Sequence, residues 1–249
     1  MRTILLIALI FCCSSFLNDC KKWQKGLCMR FPLRENAGLL CFDYSRRTNV
    51  IATGVGIERK VMQRGSCVYF DGSTGDKISI GKPSCLNLQG QMTVSAWCYF
   101  TSVSQYRYPV SDYNSGGTNA QFALQHTNTN KLTFFWALSG QQYPNPFTAA
   151  GTTTTVANKW YHVVGVRDGA SGAWTARIYV NGILENSTNT ANGPATQANA
   201  GNVTIGQPGD LVNSILPMVG YINDVQIWDR ALRAEEVKEL FIEESNKYN

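Results

Sequence analysis

From Gly38 onward, short apolar stretches alternate with clusters of Gly, Asn, Asp, Ser and Thr. Period-two alternation marks a strand with one buried face, and a short unbroken apolar run marks a strand covered on both. These patterns predict strands at 39–42, 66–70, 77–80, 93–100, 106–111, 121–124, 131–138, 160–167, 174–180, 203–205 and 220–228. Many short strands with regular turn signals make a sandwich or a barrel. No helical pattern alternates with them, which argues against a parallel α/β sheet. Val180-Asn181-Gly182-Ile183 joins two β-favouring runs, and Asn-Gly supplies the two positive φ angles of a tight hairpin turn. Asp168-Gly169 predicts a second reversal after Val166. One helix is predicted near the end. Glu235 and Glu236 suit the positive pole of its first turn, and Val237, Leu240 and Phe241 form an apolar stripe. Residues 16–36 lack periodicity and read as an arm, while 141–155 and 186–201 read as polar surface loops.

The chain has 249 residues, of which 44% are hydrophobic, 11% aromatic and only 16% charged. That suits one domain behind a leader and excludes a disordered chain, which is charge-rich and aromatic-poor. Arg2 precedes a ten-residue apolar run at 4–13, with small residues ahead of a cut after Ser15. This is the layout of a secretory signal peptide, and the run is too short to span a bilayer. The expected organisation is a signal peptide (1–15), a basic arm (16–36), one β domain (37–244) and a tail (245–249), exported with no membrane span.

Export leaves six cysteines: Cys20, Cys28, Cys41, Cys67, Cys85 and Cys98. An even number in an exported chain predicts disulfides, with 15 pairings open to six thiols. The formal net charge of +5 is uneven: residues 19–65 hold ten Lys/Arg against four Asp/Glu. Lys21, Lys22, Lys25, Arg30, Arg34, Arg46 and Arg47 form a basic segment that either attracts phosphates or acidic glycans or stands solvated. Aromatic residues are not interleaved with these charges, so nucleic acid is not an expected partner.

Ordered landmarks then carry a resemblance. They run from Phe31-Pro32-Leu33 and Asp43-x-Ser45 through Cys67-Val68-x-Phe70-Asp71-Gly72, Asp76-x-Ile78-x-Ile80 and Thr93-Val94-Ser95-Ala96-Trp97. Trp160-Tyr161-His162-Val163-Val164, Tyr179-Val180-Asn181-Gly182 and Gly220-Tyr221-Ile222-Asn223-Asp224 through Trp228 follow, leading to Glu235-Glu236-Val237. With this order and spacing the chain resembles the laminin G-like, concanavalin A-type jelly-roll modules. The resemblance implies an all-β, two-sheet antiparallel jelly-roll sandwich with one short C-terminal helix. It also implies binding of glycans or extracellular protein partners. An alternative under the same fold is a structural or adhesion subunit of an extracellular assembly, oligomeric and without a sugar site. Relatives often hold calcium with loop carboxylates, and Asp43, Asn49 and Asp224 are the positions carried over for it.

The fold superfamily includes glucanases, and retaining glycosidases need two carboxylates about 5–5.5 Å apart. No Glu-x-Asp-x-x-Glu run occurs: the eight Glu are Glu35, Glu58, Glu185 and five near the C-terminus. G-x-S-x-G, H-E-x-x-H and P-loop motifs are also missing, so no enzyme activity is expected. Trp97, Trp160 and Trp228 read as core, His162 as structural and His126 as a loop residue. Sugar sites combine aromatic faces with amides and hydroxyls, and Tyr113, Asn114, Asn119 and Gln121, with Trp136 nearby, offer that chemistry around one turn. Two sequons, at Asn186 and Asn202, are expected on surface segments.

Overall fold

The computed structural model describes residues 21–62, 65–112, 120–137, 147–193, 202–208 and 217–248. Among them lie sixteen strands and one α-helix in two antiparallel sheets. The first sheet contains β1 (Leu27–Phe31), β4 (Glu58–Met62), β5 (Gly65–Asp71), β7 (Met92–Phe100), β12 (Trp160–Ala170), β13 (Ala173–Val180), β14 (Ile183–Thr190) and β16 (Val219–Trp228). Its order is β14-β13-β12-β7-β16-β5-β4, with β1 also paired to β16. The second contains β2 (Leu40–Phe42), β3 (Ile51–Val55), β6 (Lys77–Gly81), β8 (Arg107–Ser111), β9 (Ala123–His126), β10 (Leu132–Trp136), β11 (Phe147–Ala150) and β15 (Val203–Ile205). Its order is β11-β10-β9-β8-β15-β6-β3-β2. This is the two-sheet jelly-roll sandwich expected from the sequence.

Facing sides of the sheets enclose the main core, with Phe70, Val94, Phe100, Val163 and Ile222 from the first meeting Ile78, Leu124, Phe134, Trp136 and Ile205 from the second. A second cluster lies on the outer face of the first sheet. There Val164, Val166, Tyr179 and Trp228 pack under Val237 and Leu240 of helix α1 (Ala234–Ser245), together with Trp23. Strand β12 is therefore covered on both faces, which explains its unbroken Val163-Val164 pair beside Val166. Each large apolar side chain so buried contributes about 1.5–3 kcal/mol.

Helix α1 starts without a Ser or Thr cap, but the Glu236 carboxylate accepts the Arg233 N–H at 2.9 Å. Asn181 and Gly182 adopt φ of 51° and 76°, giving the expected hairpin turn. The reversal expected at Asp168-Gly169 lies instead at Ser171-Gly172. Strand β12 runs straight through, pairing Asp168 with Thr175 and Gly169 with Trp174. Gly169 is needed there because a Cβ would stand 2.0 Å from the Ala173 carbonyl oxygen.

Several expectations from local pattern are corrected by tertiary pairing. The described part of the expected arm is built into the fold: Trp23 is buried, and β1 pairs with the last strand. Part of the loop expected at 141–155 is strand β11, paired to β10, and residues 186–190 of the expected 186–201 loop complete β14 against β13. His126 is not a loop residue but the buried end of β9, bonded to Thr155 Oγ1 at 2.7 Å. Trp97 and Trp228 are buried as expected, and Trp160 is half-buried.

Candidate ligand-binding site

The residues singled out for sugar binding do not converge. Tyr113, Asn114 and Asn119 lie outside the described residues. Trp136 is fully buried between the sheets, 4.9 Å from the Phe147 ring and 5.5 Å beneath the Arg167 guanidinium. It shares the inward face of β10 with Phe134, while Thr133 and Phe135 face outward. As placed, Trp136 is a core residue and presents no ring face to a sugar. Gln121 is also buried, and neither end of its amide meets a hydrogen-bond partner among the described residues.

The positions carried over for calcium do not fit that ion as placed. Asp43 already accepts four donors: Arg30 N at 2.9 Å, Ser45 N and Ser45 Oγ at 2.8 Å each, and Thr48 Oγ1 at 2.5 Å. Asp224 accepts Arg30 Nε at 3.1 Å and Nη2 at 2.9 Å, and Asn49 is exposed. Among the described residues no group of three or more His, Cys, Asp or Glu is placed to hold a metal.

Strand β16 forks at Asp224. Residues Val219–Ile222 pair with β5 and residues Val225–Trp228 with β1, while β7 lies along the opposite edge. The register slips between Asn223 and Gln226, and Asp224 takes a positive φ of 41°. In the gap between β1 and β5, Arg30 reaches both Asp224 and, at 2.8 Å, Glu244 of helix α1. Trp97 Nε1 donates to the other Glu244 oxygen at 3.1 Å. The two carboxyl groups touch: burial and Asp224 hold Glu244 well above the usual carboxylate range, while the hydrogen bond from Glu244 and the Arg30 charge hold Asp224 below it. Arg30, and Lys247 with its Nζ 3.9 Å from both carboxyl groups, face this acidic pair at the floor of the fork.

One cleft opens beside this floor, and a second lies nearer the start of α1. The first, of about 420 Å³, is lined by Gln24, Leu27, Arg30, Pro32, Arg34, Tyr44, Ser45 and Arg46. Its walls are an exposed aromatic ring, an amide, a hydroxyl and two exposed guanidinium groups. Arg34 lies 5.2 Å over the Tyr44 ring. Among the described residues neither Arg34 nor Arg46 has a carboxylate partner, whereas Arg47 is paired with Asp229 at 2.6 Å. The second cleft, about 700 Å³, lies between Lys21, Lys22 and Lys25 and the approach to α1 at Arg230 and Arg233. Its acid, Glu236, is consumed by Arg230 at 2.8 Å. A volume of roughly 300–1,000 Å³ is the range of small-ligand sites. The sequence showed the positive charge of this rim but not that β1 would carry it to one edge of the sandwich.

The remaining sequence-derived sites lie elsewhere. Asn202 is exposed just ahead of β15, and Asn186, in β14, donates its amide nitrogen to the Ala150 carbonyl at 2.8 Å. Cys28, Cys41, Cys67, Cys85 and Cys98 are free thiols in the structure, and Cys20 lies outside the described residues. Among the described residues no helix is long and apolar enough to cross a membrane.

Comparison with known proteins accords with the architecture. A family model described as laminin G, concanavalin A-like lectin/glucanases superfamily, matches residues 71–238. Among solved structures, the binding domain of Paraclostridial Mosquitocidal Protein 1 superposes with a TM-score of 0.67 at 13% identity, covering 88% of this chain and 52% of that one. Domain 4 of AbnA, a GH43 extracellular arabinanase from Geobacillus stearothermophilus in complex with arabinotriose, gives 0.65 at 16% identity, covering 86% and 97%. The botulinum neurotoxin DC binding domain in complex with SialylT gives 0.62 at 13% identity, covering 89% and 52%. The chain thus spans about half the length of the two toxin binding domains. No curated protein matches the sequence.

Proposed function

The chain belongs to the laminin G group of the concanavalin A-like lectin/glucanase superfamily, and on that premise we propose that it is an exported, non-catalytic recognition module for saccharides bearing a carboxylate. The observation that carries this reading is the cleft at the fork. Tyr44 offers a ring face to sugar C–H groups, the Gln24 amide lines the wall, and Arg34 and Arg46 offer two guanidiniums with no carboxylate partner among the described residues. A guanidinium fork matches a carboxylate with two parallel hydrogen bonds. Aromatic, amide and cation on one wall therefore suit an acidic sugar better than a neutral one. Two fold neighbours are complexes, one with arabinotriose and one with SialylT.

The absence of catalysis is part of the same reading. Asp224 and Glu244 are the carboxylates brought together at this rim, yet each is only 3% exposed and both are tied to Arg30. Their direct contact leaves no room for a glycosidic bond between acid and nucleophile, which retaining enzymes hold about 5–5.5 Å apart.

An array of carboxylated, sulfated and neutral oligosaccharides tests the proposal. Oligogalacturonate paired with its methyl ester isolates the charge. Binding of carboxylated members, weakened at least about tenfold by esterification, is the expected result, since loss of a charge-assisted bond costs about 1.5–3 kcal/mol. Equal binding of acid and ester, or binding of none, overturns it.

A further inference from the structure

Cys28 and Cys85 come from opposite sheets and meet at the sandwich edge. Strand β1 carries a bulge: Leu27 faces Trp228 and Met29 faces Ile227, which leaves Cys28 as the extra residue. A bulge re-aims a side chain out of the strand's alternation, and here Cys28 turns into the core. Cys85 sits in the 3₁₀ turn Ser84–Leu86 that follows β6 of the second sheet, half-buried and packed on the same core. The Cys28 thiol donates to the Cys85 carbonyl at 3.1 Å and the Cys85 thiol lies 3.9 Å from the Cys28 carbonyl, a reciprocal arrangement that sets the two sulfurs side by side. The other described cysteines are engaged elsewhere. Cys41 accepts Arg59 Nη2 at 3.1 Å, Cys67 faces the Lys60 carbonyl at 3.7 Å, and Cys98 is wholly enclosed in the core.

We propose that Cys28 and Cys85 form a disulfide that clamps the first strand of one sheet to the turn after β6 of the other. The oxidant is a small-molecule or protein disulfide. Cys85 is the entry point, because it is the accessible one of the two, and its thiol is held below the ordinary cysteine range by Cys28 and by the Arg47 charge. Its thiolate attacks the external disulfide, forms a mixed disulfide and releases one thiolate. The Cys28 sulfur then attacks the Cys85 sulfur and expels the second thiolate, which takes up the Cys28 proton. Two protein thiols are oxidised and one external disulfide is reduced to two thiols. The bond also fixes β1, and with it Arg30 and Arg34, to the body of the domain.

The whole chain, equilibrated with oxidised glutathione, unfolded without reductant, alkylated and digested, provides the test. The expected product is one linked peptide pair joining residues 28 and 85, lighter by two hydrogens than the reduced pair, with Cys41, Cys67 and Cys98 alkylated. Reduction lowers the melting temperature of the parent by about 10 °C, as expected for a cross-link of this span. The half-buried position of Cys85 lets Cys85→Ser fold, and that variant does not respond to reductant and leaves Cys28 alkylatable. Alkylation of both Cys28 and Cys85 after oxidation, or linkage of either to a different cysteine, overturns the proposal.

Discussion

Arg167 and Arg34 are the same residue type in opposite circumstances. Arg167 projects inward from β12 and is wholly buried. Its guanidinium donates to three backbone carbonyls: Gly90 at 2.8 Å, Gln121 at 2.7 Å, and Leu88. Burial draws its pKa down to about 9, opposed by the charge of Asp112. The fork geometry that binds carboxylates elsewhere is spent on solvating a buried charge, and in doing so it ties the 88–90 connection and Gln121, ahead of β9, to the first sheet. Arg34 is exposed and lies over the Tyr44 ring, with no carboxylate partner among the described residues. The contrast separates a cation satisfied by the fold from one left for a ligand. Charge counting along the sequence cannot make that distinction.

The largest effect is expected where the fold depends on the cation. Arg167→Met strands three buried carbonyls at about 1–3 kcal/mol each, so urea unfolding at neutral pH should show a loss of about 4 kcal/mol or more. Arg167→Lys keeps charge but not the fork and should lose about half as much. A Met variant within about 1 kcal/mol of the parent would show that these carbonyls need no donor.

His162 gives an intermediate effect, readable as a pH dependence. The ring is fully buried, bonded to Ser95 Oγ at 2.8 Å, and burial holds its pKa down to about 3, against an ordinary value of 6.5. The folded-state value lies below the unfolded one, so the unfolded chain takes up the proton first. The contribution is complete above pH 6.5 and is lost as pH falls toward 3. The stability difference between pH 7 and pH 4 should be about 3 kcal/mol. Denaturation curves at pH 7 and pH 4 measure it, and His162→Gln should flatten the change between them. An undiminished acid loss in that variant would place the sensitivity in other groups.

The smallest effect on stability, and the sharpest on binding, is expected at the rim. Arg34→Ala and Arg46→Ala should leave unfolding within about 0.5 kcal/mol of the parent, as exposed positions do. Each should weaken binding of a carboxylated oligosaccharide about tenfold, measured by titration calorimetry. Destabilisation comparable to that of Arg167→Met would erase the distinction between the two arginine settings.

Local pattern made the sandwich legible because its core strands carry their own signal: Met92–Phe100 and Trp160–Ala170 are apolar enough to be recognised alone. Strands β1, β3, β4 and β11 carry too little signal to be recognised alone, and of β14 only the start at Ile183 is implied, by the Asn181-Gly182 hairpin. Strand β14, for example, reads Ile-Leu-Glu-Asn-Ser-Thr-Asn-Thr, and its order comes from pairing with β13. The turn shift from Asp168-Gly169 to Ser171-Gly172 has a similar origin, since two adjacent Gly-containing steps satisfy turn chemistry equally and pairing to β13 decides. Trp136 misled because an aromatic beside polar loops looks alike whether it faces ligand or core, and only the alternation of β10 tells which. The rim was half legible: its cations were visible in the sequence. Their convergence was not, because β1 meets β16 across some two hundred residues of chain.

The central place of β16 has a consequence for biosynthesis. It lies between β7 and β5, so the last strand of the sandwich occupies the middle of the first sheet. A nascent chain can zip β12 to β14 by local hairpins, but β5 and β7 must wait with open edges until residues near 228 have been made. Pairings of such separation form slowly, and unpaired edges are sites of misassociation. A polypeptide arrested shortly before β16 would therefore hold most of the apolar content of the domain without the strand that joins it, and would rely on a holding factor until synthesis finished.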